Sequence, residues 1–136
     1  MTKLFFTTAL AMSALCLQAQ TVVSLDKAGT LSEKISSAEK YEITNLKISG
    51  TLNGTDFILL RDMAGMDQEN NKSNGTLETL DLTDASIVKG GEPYYVSYGG
   101  NADTEYYTSD NEMAFRCNFN SQMMSQNYSL LRFGKF

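Results

Sequence analysis

The sequence predicts a small α/β chain in which short parallel strands alternate with helices and irregular loops. Three observations carry this. Residues 21–25, 43–49 and 77–87 are rich in β-branched or alternating apolar side chains, the pattern of a half-buried strand. Between them, Thr30 to Lys40 and Asn53 to Gly65 carry apolar residues at helical spacing behind good helix-capping residues. The apolar pattern of 43–48 also returns thirty-four residues later, at 77–82. Two like strands on either side of a helix is the order that gives parallel neighbours.

Residues 1–19 read as a cleavable signal peptide. Lys3 supplies the positive start, an apolar run extends from Leu4 to Leu17, and Gln18-Ala19-Gln20 ends it, with cleavage expected after Ala19. The run is shorter than the roughly 20 apolar residues that a membrane-spanning helix needs, and it contains Thr7, Thr8 and Ser13. Lipid attachment at Cys16 is disfavoured by Leu15, which stands where a small residue is wanted. The chain is therefore expected to be secreted or at the cell surface, exported through the periplasm, with no transmembrane segment after signal removal. Cleavage would also remove Cys16 and leave Cys117 alone, so stability must come from a packed core and not from an internal disulfide.

Each element of the mature part follows from local chemistry. Thr21 to Leu25 favours an extended segment, broken by Lys27-Ala28-Gly29. Thr30 with Glu33 forms a capping-box pattern ahead of Leu31, Ile35 and Ala38, predicting a helix over about 30–40. Ile43, Leu46 and Ile48 alternate with polar residues up to Gly50, predicting a strand. A second helix begins at Asn53-Gly54-Thr55, buries Phe57, Leu60 and Met63 or Ala64, and stops at Gly65. From Met66 to Gly75 the chain is polar and aperiodic, a loop.

The next segment is the most informative. Leu77, Leu80, Leu82 and Ile87 fill the apolar positions of the leucine-rich-repeat template L-x-x-L-x-L-x-x-N/C-x-L, with Ala85 in place of Asn or Cys. The template describes a short strand with Leu80 and Leu82 pointing inward, then a bend that tucks Ala85 and Ile87 beneath it. Ile43, Leu46 and Ile48 fill the first three positions of an earlier copy. The expected fold is thus the capped start of a leucine-rich-repeat solenoid, whose strands line one face open to a partner.

Ala28 to Leu31, Ile43 to Gly54, Asp56-Phe57, Leu60 to Gly65 and Leu80 to Ala85 together resemble the N-terminal region of BspA-like leucine-rich-repeat surface proteins of Gram-negative gut and oral anaerobes. The resemblance covers about 25–112. It implies that the first helix and strand cap a solenoid whose further repeats bind host or bacterial surface ligands. Family members continue with a phrase of the type A-F-x-x-C-x-x-L. Here Ala114-Phe115-Arg116-Cys117-Asn118-Phe119 begins similarly and then departs from it, while Tyr128, Leu131 and Phe133 match the template loosely. Three parts are therefore expected: the signal at 1–19, the cap and first repeats at 20–112, and a degenerate or truncated tail at 113–136.

Composition narrows the chemistry. The 136 residues contain 11 Lys plus Arg, 16 Asp plus Glu and no His. The acidic balance argues against nucleic acid as a partner. Without His, the Ser-His-Asp, Cys-His and His-based metal sites are excluded, and no P-loop or dinucleotide fingerprint is present. No cofactor is implied. Asp81, Asp84, Glu105, Asp110 and Glu112 offer carboxylates for a glycan-active site, and Asp103 with Glu105, Asp110 and Glu112 for Ca²⁺, but surface charge accounts for both sets. The candidate ligand-binding residues are Tyr94, Tyr95, Tyr98, Tyr106 and Tyr107, interleaved with Ser, Gly and Asn. Tyrosine gives a large amphipathic contact area at low entropy cost. The alternative is that these rings pack against the solenoid edge. Asn53, Asn71, Asn74 and Asn127 begin N-x-[ST] sequons, informative only in a eukaryotic secretory pathway, and Met123-Met124 belongs to the tail. The function expected is a non-enzymatic protein- or glycan-binding module. A structural cap fragment of a larger adhesin and a small glycan-active enzyme are the rival readings.

Overall fold

The computed structural model describes residues 19–99, 102–110 and 116–118. The signal peptide to residue 18, including Cys16, lies outside the described residues, as do Glu112, Met123, Met124, Asn127, Tyr128, Leu131 and Phe133. Three strands, β1 (Thr21–Leu25), β2 (Asn45–Leu52) and β3 (Thr79–Ile87), run parallel in that order in one sheet. Helix α1 (Leu31–Lys34) connects β1 to β2, and α2 (Gly54–Met63) connects β2 to β3. A hairpin of β4 (Gly90–Ser97) and β5 (Thr104–Thr108) forms a second sheet, and β6 (Arg116–Asn118) pairs antiparallel with β3 over Thr79–Asp81. The chain is mixed α/β with parallel strands and few helices, as the alternation of patterns predicted.

The parallel strands stack their apolar residues in rungs. Leu46 pairs with Leu80, Val23 with Ile48, and Leu52 with Ile87, and all six are buried. Burying a side chain of this size stabilises the fold by about 1.5–3 kcal/mol, so these rungs with α2 form most of the core. Leu46 and Leu80 occupy the same position in the two copies of the apolar phrase, so that repeat is realised as strand register. Leu77 is buried. Ile43 sits before β2, half-buried against the core.

The bend expected after Leu82 is absent, and β3 continues to Ile87. From Lys47 to Ser49 β2 advances two residues while its partners advance from Asp81 to Asp84. One extra residue in β3 is a β-bulge. It reverses the alternation, so Leu80 before it, Leu82 within it and Ile87 after it are all buried although their spacing violates period two. The bulge is held locally by the Asp81 carboxylate, which accepts from the Thr83 backbone N–H at 3.1 Å and the Thr83 hydroxyl at 2.6 Å.

Helix α1 is a single turn, not the eleven residues expected. Thr30 makes no side-chain cap; its hydroxyl donates to the Lys27 carbonyl. The competing signal is the next S-x-x-E: the Ser36 N–H donates to Glu39 while the Glu39 N–H reaches the Ser36 hydroxyl. That reciprocal pair starts a new turn and leaves Ile35 extended. The capping of the α1 end comes instead from α2. Asp56 is buried and accepts from the backbone N–H of Gly29 at 2.6 Å, Leu31 at 2.9 Å and Asn53 at 2.9 Å. The last bond completes the capping box of α2, whose N-cap is Asn53, one of the two candidates, Asn53 and Thr55, that the sequence offers. Gly65 follows the helix at φ 101°, the left-handed stop expected of it.

Candidate functional site

The hairpin is attached to the face of α2 by one helical turn. Phe57 and Arg61, four residues apart and so on one side of the helix, meet its two adjacent tyrosines. Phe57 contacts Tyr94 edge-on, with centroids 6.2 Å apart, and the Arg61 guanidinium lies 4.9 Å from the centre of the Tyr95 ring. At the base, Gly54 permits the approach: a Cβ there would stand 2.1 Å from the Glu92 carbonyl oxygen. The Glu92 N–H donates to the Thr55 hydroxyl at 3.1 Å.

Arg61 is 2 % exposed, unusual for a cation. Its Nη2 donates to Asn70 Oδ1 at 2.9 Å and to the Asp67 carbonyl at 3.4 Å, while Nε has no hydrogen-bond partner. Burial pushes the guanidinium below its usual range, with the nearby Tyr95, Tyr94 and Asp67 acting in the opposite direction. The charge is held by the ring face of Tyr95 and by the 66–75 loop. That loop is ordered around Asp67, whose carboxylate accepts from the Glu69 and Asn71 N–H groups, and its Gln68 and Asn70 side chains donate to the β4 carbonyls of Pro93 and Val96. A segment without periodicity thus clasps the hairpin.

The five candidate tyrosines separate into two groups. Tyr94 is 9 % exposed and belongs to the core, its ring edge-on against Phe57. Tyr95 is half-buried between Arg61 and Tyr106, its partner across the hairpin, with ring centroids 5.2 Å apart. Tyr98, Tyr106 and Tyr107 are 57 %, 42 % and 51 % exposed. The Tyr107 hydroxyl donates to Glu105 at 2.6 Å, a bond that raises its pKa above the ordinary phenol value, with the charges of Glu105 and Glu92 acting in the same direction. Tyr98, just beyond β4, and Tyr106 and Tyr107 on β5 therefore offer tyrosine surface to solvent.

The carboxylates considered for catalysis do not gather. Asp81 is buried in the bulge, Asp84 pairs with Lys47, Glu105 holds Tyr107, and Asp110 accepts the Lys89 backbone N–H. Among the described residues no three His, Cys, Asp or Glu side chains converge as a metal site would require. The outward side of the parallel sheet carries Val22, Ser24, Lys47, Ser49, Asp84 and Ser86, a mostly small and polar face. Among the described residues no helix is long and apolar enough to cross a membrane.

Sequence reasoning did not single out Arg61, Asn70, Gln68 or Asp56. The signal for Arg61 was present: it falls on the stripe of Phe57, Leu60 and Ala64, where a charge is out of place unless something receives it. No family model matches the chain, and no curated protein matches it.

Proposed function

We propose that the chain is an exported, non-enzymatic interaction module, the capped start of a leucine-rich-repeat solenoid, which binds a protein or glycan through the tyrosines of its β4–β5 hairpin. The observation that carries the reading is the exposure of Tyr98, Tyr106 and Tyr107 on a hairpin braced from below by buried Arg61. Rigid aromatic groups already held in place lose little entropy on binding, which is what an interaction surface requires. The solenoid part is supported by the register of Leu46 against Leu80, which stacks two copies of one phrase as adjacent repeats stack. Export is supported by Lys3, the apolar run to Leu17 and the start of β1 at Thr21, just beyond the proposed cleavage after Ala19.

Immobilised glycans and extracellular-matrix proteins, probed with the full chain and with a Tyr98→Ala/Tyr107→Ala variant, test this reading. Retention of a ligand by the unaltered chain and its loss from an equally stable variant is the expected result. Absence of any retained ligand favours a purely structural cap.

A further inference from the structure

We infer that the occupant of the hairpin surface is a cationic peptide segment rich in arginine or lysine. This rests on the interaction-module reading and specifies its partner. From Gly90 to Asp110 the sequence contains Glu92, Asp103, Glu105 and Asp110 and no Lys or Arg. The whole chain is −5, and the hairpin from Gly90 to Thr108 carries −3 of it, with Lys89 just before it and Asp110 just after. Glu92, Asp103, Glu105 and Asp110 are all exposed, beside Tyr98, Tyr106 and Tyr107, which expose about half of their surface.

Tyrosine faces and carboxylates share one preference. The ring face attracts cations through its quadrupole, and surface carboxylates attract them at longer range and speed encounter. The same carboxylates repel uronic, sulfated and phosphorylated ligands, while a neutral sugar gains from the rings but not from the charge. The fold already contains one instance of the contact, the Arg61 guanidinium 4.9 Å from the centre of Tyr95. Tyr95 in turn touches Tyr106, whose ring is 42 % exposed. An arginine of the partner meets at Tyr106 the surface that Arg61 meets at Tyr95. Exposed Glu92 and Glu105, the latter bonded to Tyr107 on the other face of β5 from Tyr106, receive a second positive group.

Fluorescence anisotropy of the full chain with labelled oligo-arginine, oligo-glutamate and a neutral oligosaccharide tests this, at about 50 and about 500 mM salt, where screening differs strongly. Oligo-arginine is expected to bind, and to bind at least tenfold more weakly at high salt. Tyr106→Ala is expected to weaken it roughly three- to tenfold, the range of one cation–π contact, with Tyr106→Phe close to the unaltered chain. Glu92→Gln/Glu105→Gln is expected to weaken binding and flatten its salt dependence. These two carboxylates are exposed, so that variant remains informative if Tyr106→Ala loosens the hairpin. Oligo-arginine binding unchanged in both variants would be attraction to a negative chain at large and overturns the inference. Binding of the neutral sugar alone, lost in Tyr106→Ala, also overturns it while leaving the interaction-module reading standing. Binding of no ligand overturns both.

Discussion

Asp56 accepts three backbone N–H bonds from two segments that are far apart in the sequence, and it is 1 % exposed. Removing it leaves the buried donor of Leu31 and the part-buried donors of Gly29 and Asn53 without that acceptor, and a buried unsatisfied group costs about 1–3 kcal/mol. Asp56→Ala is expected to lower stability by at least about 3 kcal/mol in urea unfolding, and a loss below about 1 kcal/mol would contradict this role. Gly50 is the backbone counterpart. It sits at φ 95°, and a Cβ there would stand 1.9 Å from the Leu25 carbonyl oxygen, so no side chain fits without separating β1 from β2. Gly50 was legible only as a strand end. Its contact with Leu25 depends on register between strands, which local patterning does not encode. Asp56 was not singled out from the sequence, because its two bonds to the α1 end come from tertiary packing.

At the scale of elements, the hairpin and its brace should behave as one unit. Arg61→Met keeps the stem and removes the donors to Asn70 and Asp67 and the cation beneath Tyr95. Hydrogen exchange of β4 and β5 amides is then expected to accelerate more than tenfold while β1 to β3 stay protected; uniform acceleration would place Arg61 in the global core instead. Tyr95→Ala is expected to destabilise by roughly 2–3 kcal/mol through lost packing, and exposed Tyr98→Ala to stay within about 0.5 kcal/mol. Thermal unfolding separates the two. The turn after α1 is tied to α2 by Lys40, which pairs with Asp62 and lies 4.5 Å from the Tyr41 ring centre. The hydrogen bond to Asp62, then that to Tyr41, raises the Lys40 pKa above 10.5. Because the fold favours the proton, this pair stabilises fully below pH 10.5 and fades as pH rises through the higher folded value. Being near the surface, it contributes at most about 1 kcal/mol. Lys40→Met should remove that part of the alkaline slope of stability and leave the slope between about pH 7 and 9 unchanged, a range well under the ordinary lysine value.

For the whole molecule, the alternation of strand and helix and the parallel order of β1 to β3 were legible because side-chain period and cap residues are local signals. The pairing of Leu46 with Leu80 was legible because the phrase repeats. Three features were not. The bulge between Asp81 and Asp84 falls where the bend of a repeat is expected, so Leu82 and Ala85 cannot tell the two apart from sequence. The one-turn α1 reflects competition between two capping patterns, Thr30 with Glu33 and Ser36 with Glu39, settled in favour of the second once Asp56 took over the α1 end. The division of the tyrosines depended on where α2 would point Phe57 and Arg61, information held in neither segment alone.

The hairpin of this chain is proposed as a docking surface. The most direct measurement is the affinity of the full chain for an array of basic, acidic and neutral peptides and glycans, compared with a Tyr98→Ala/Tyr107→Ala variant whose melting temperature is unchanged. At least one ligand class is expected to bind the unaltered chain and to be weakened about tenfold or more in the variant. Equal binding by both proteins would contradict it.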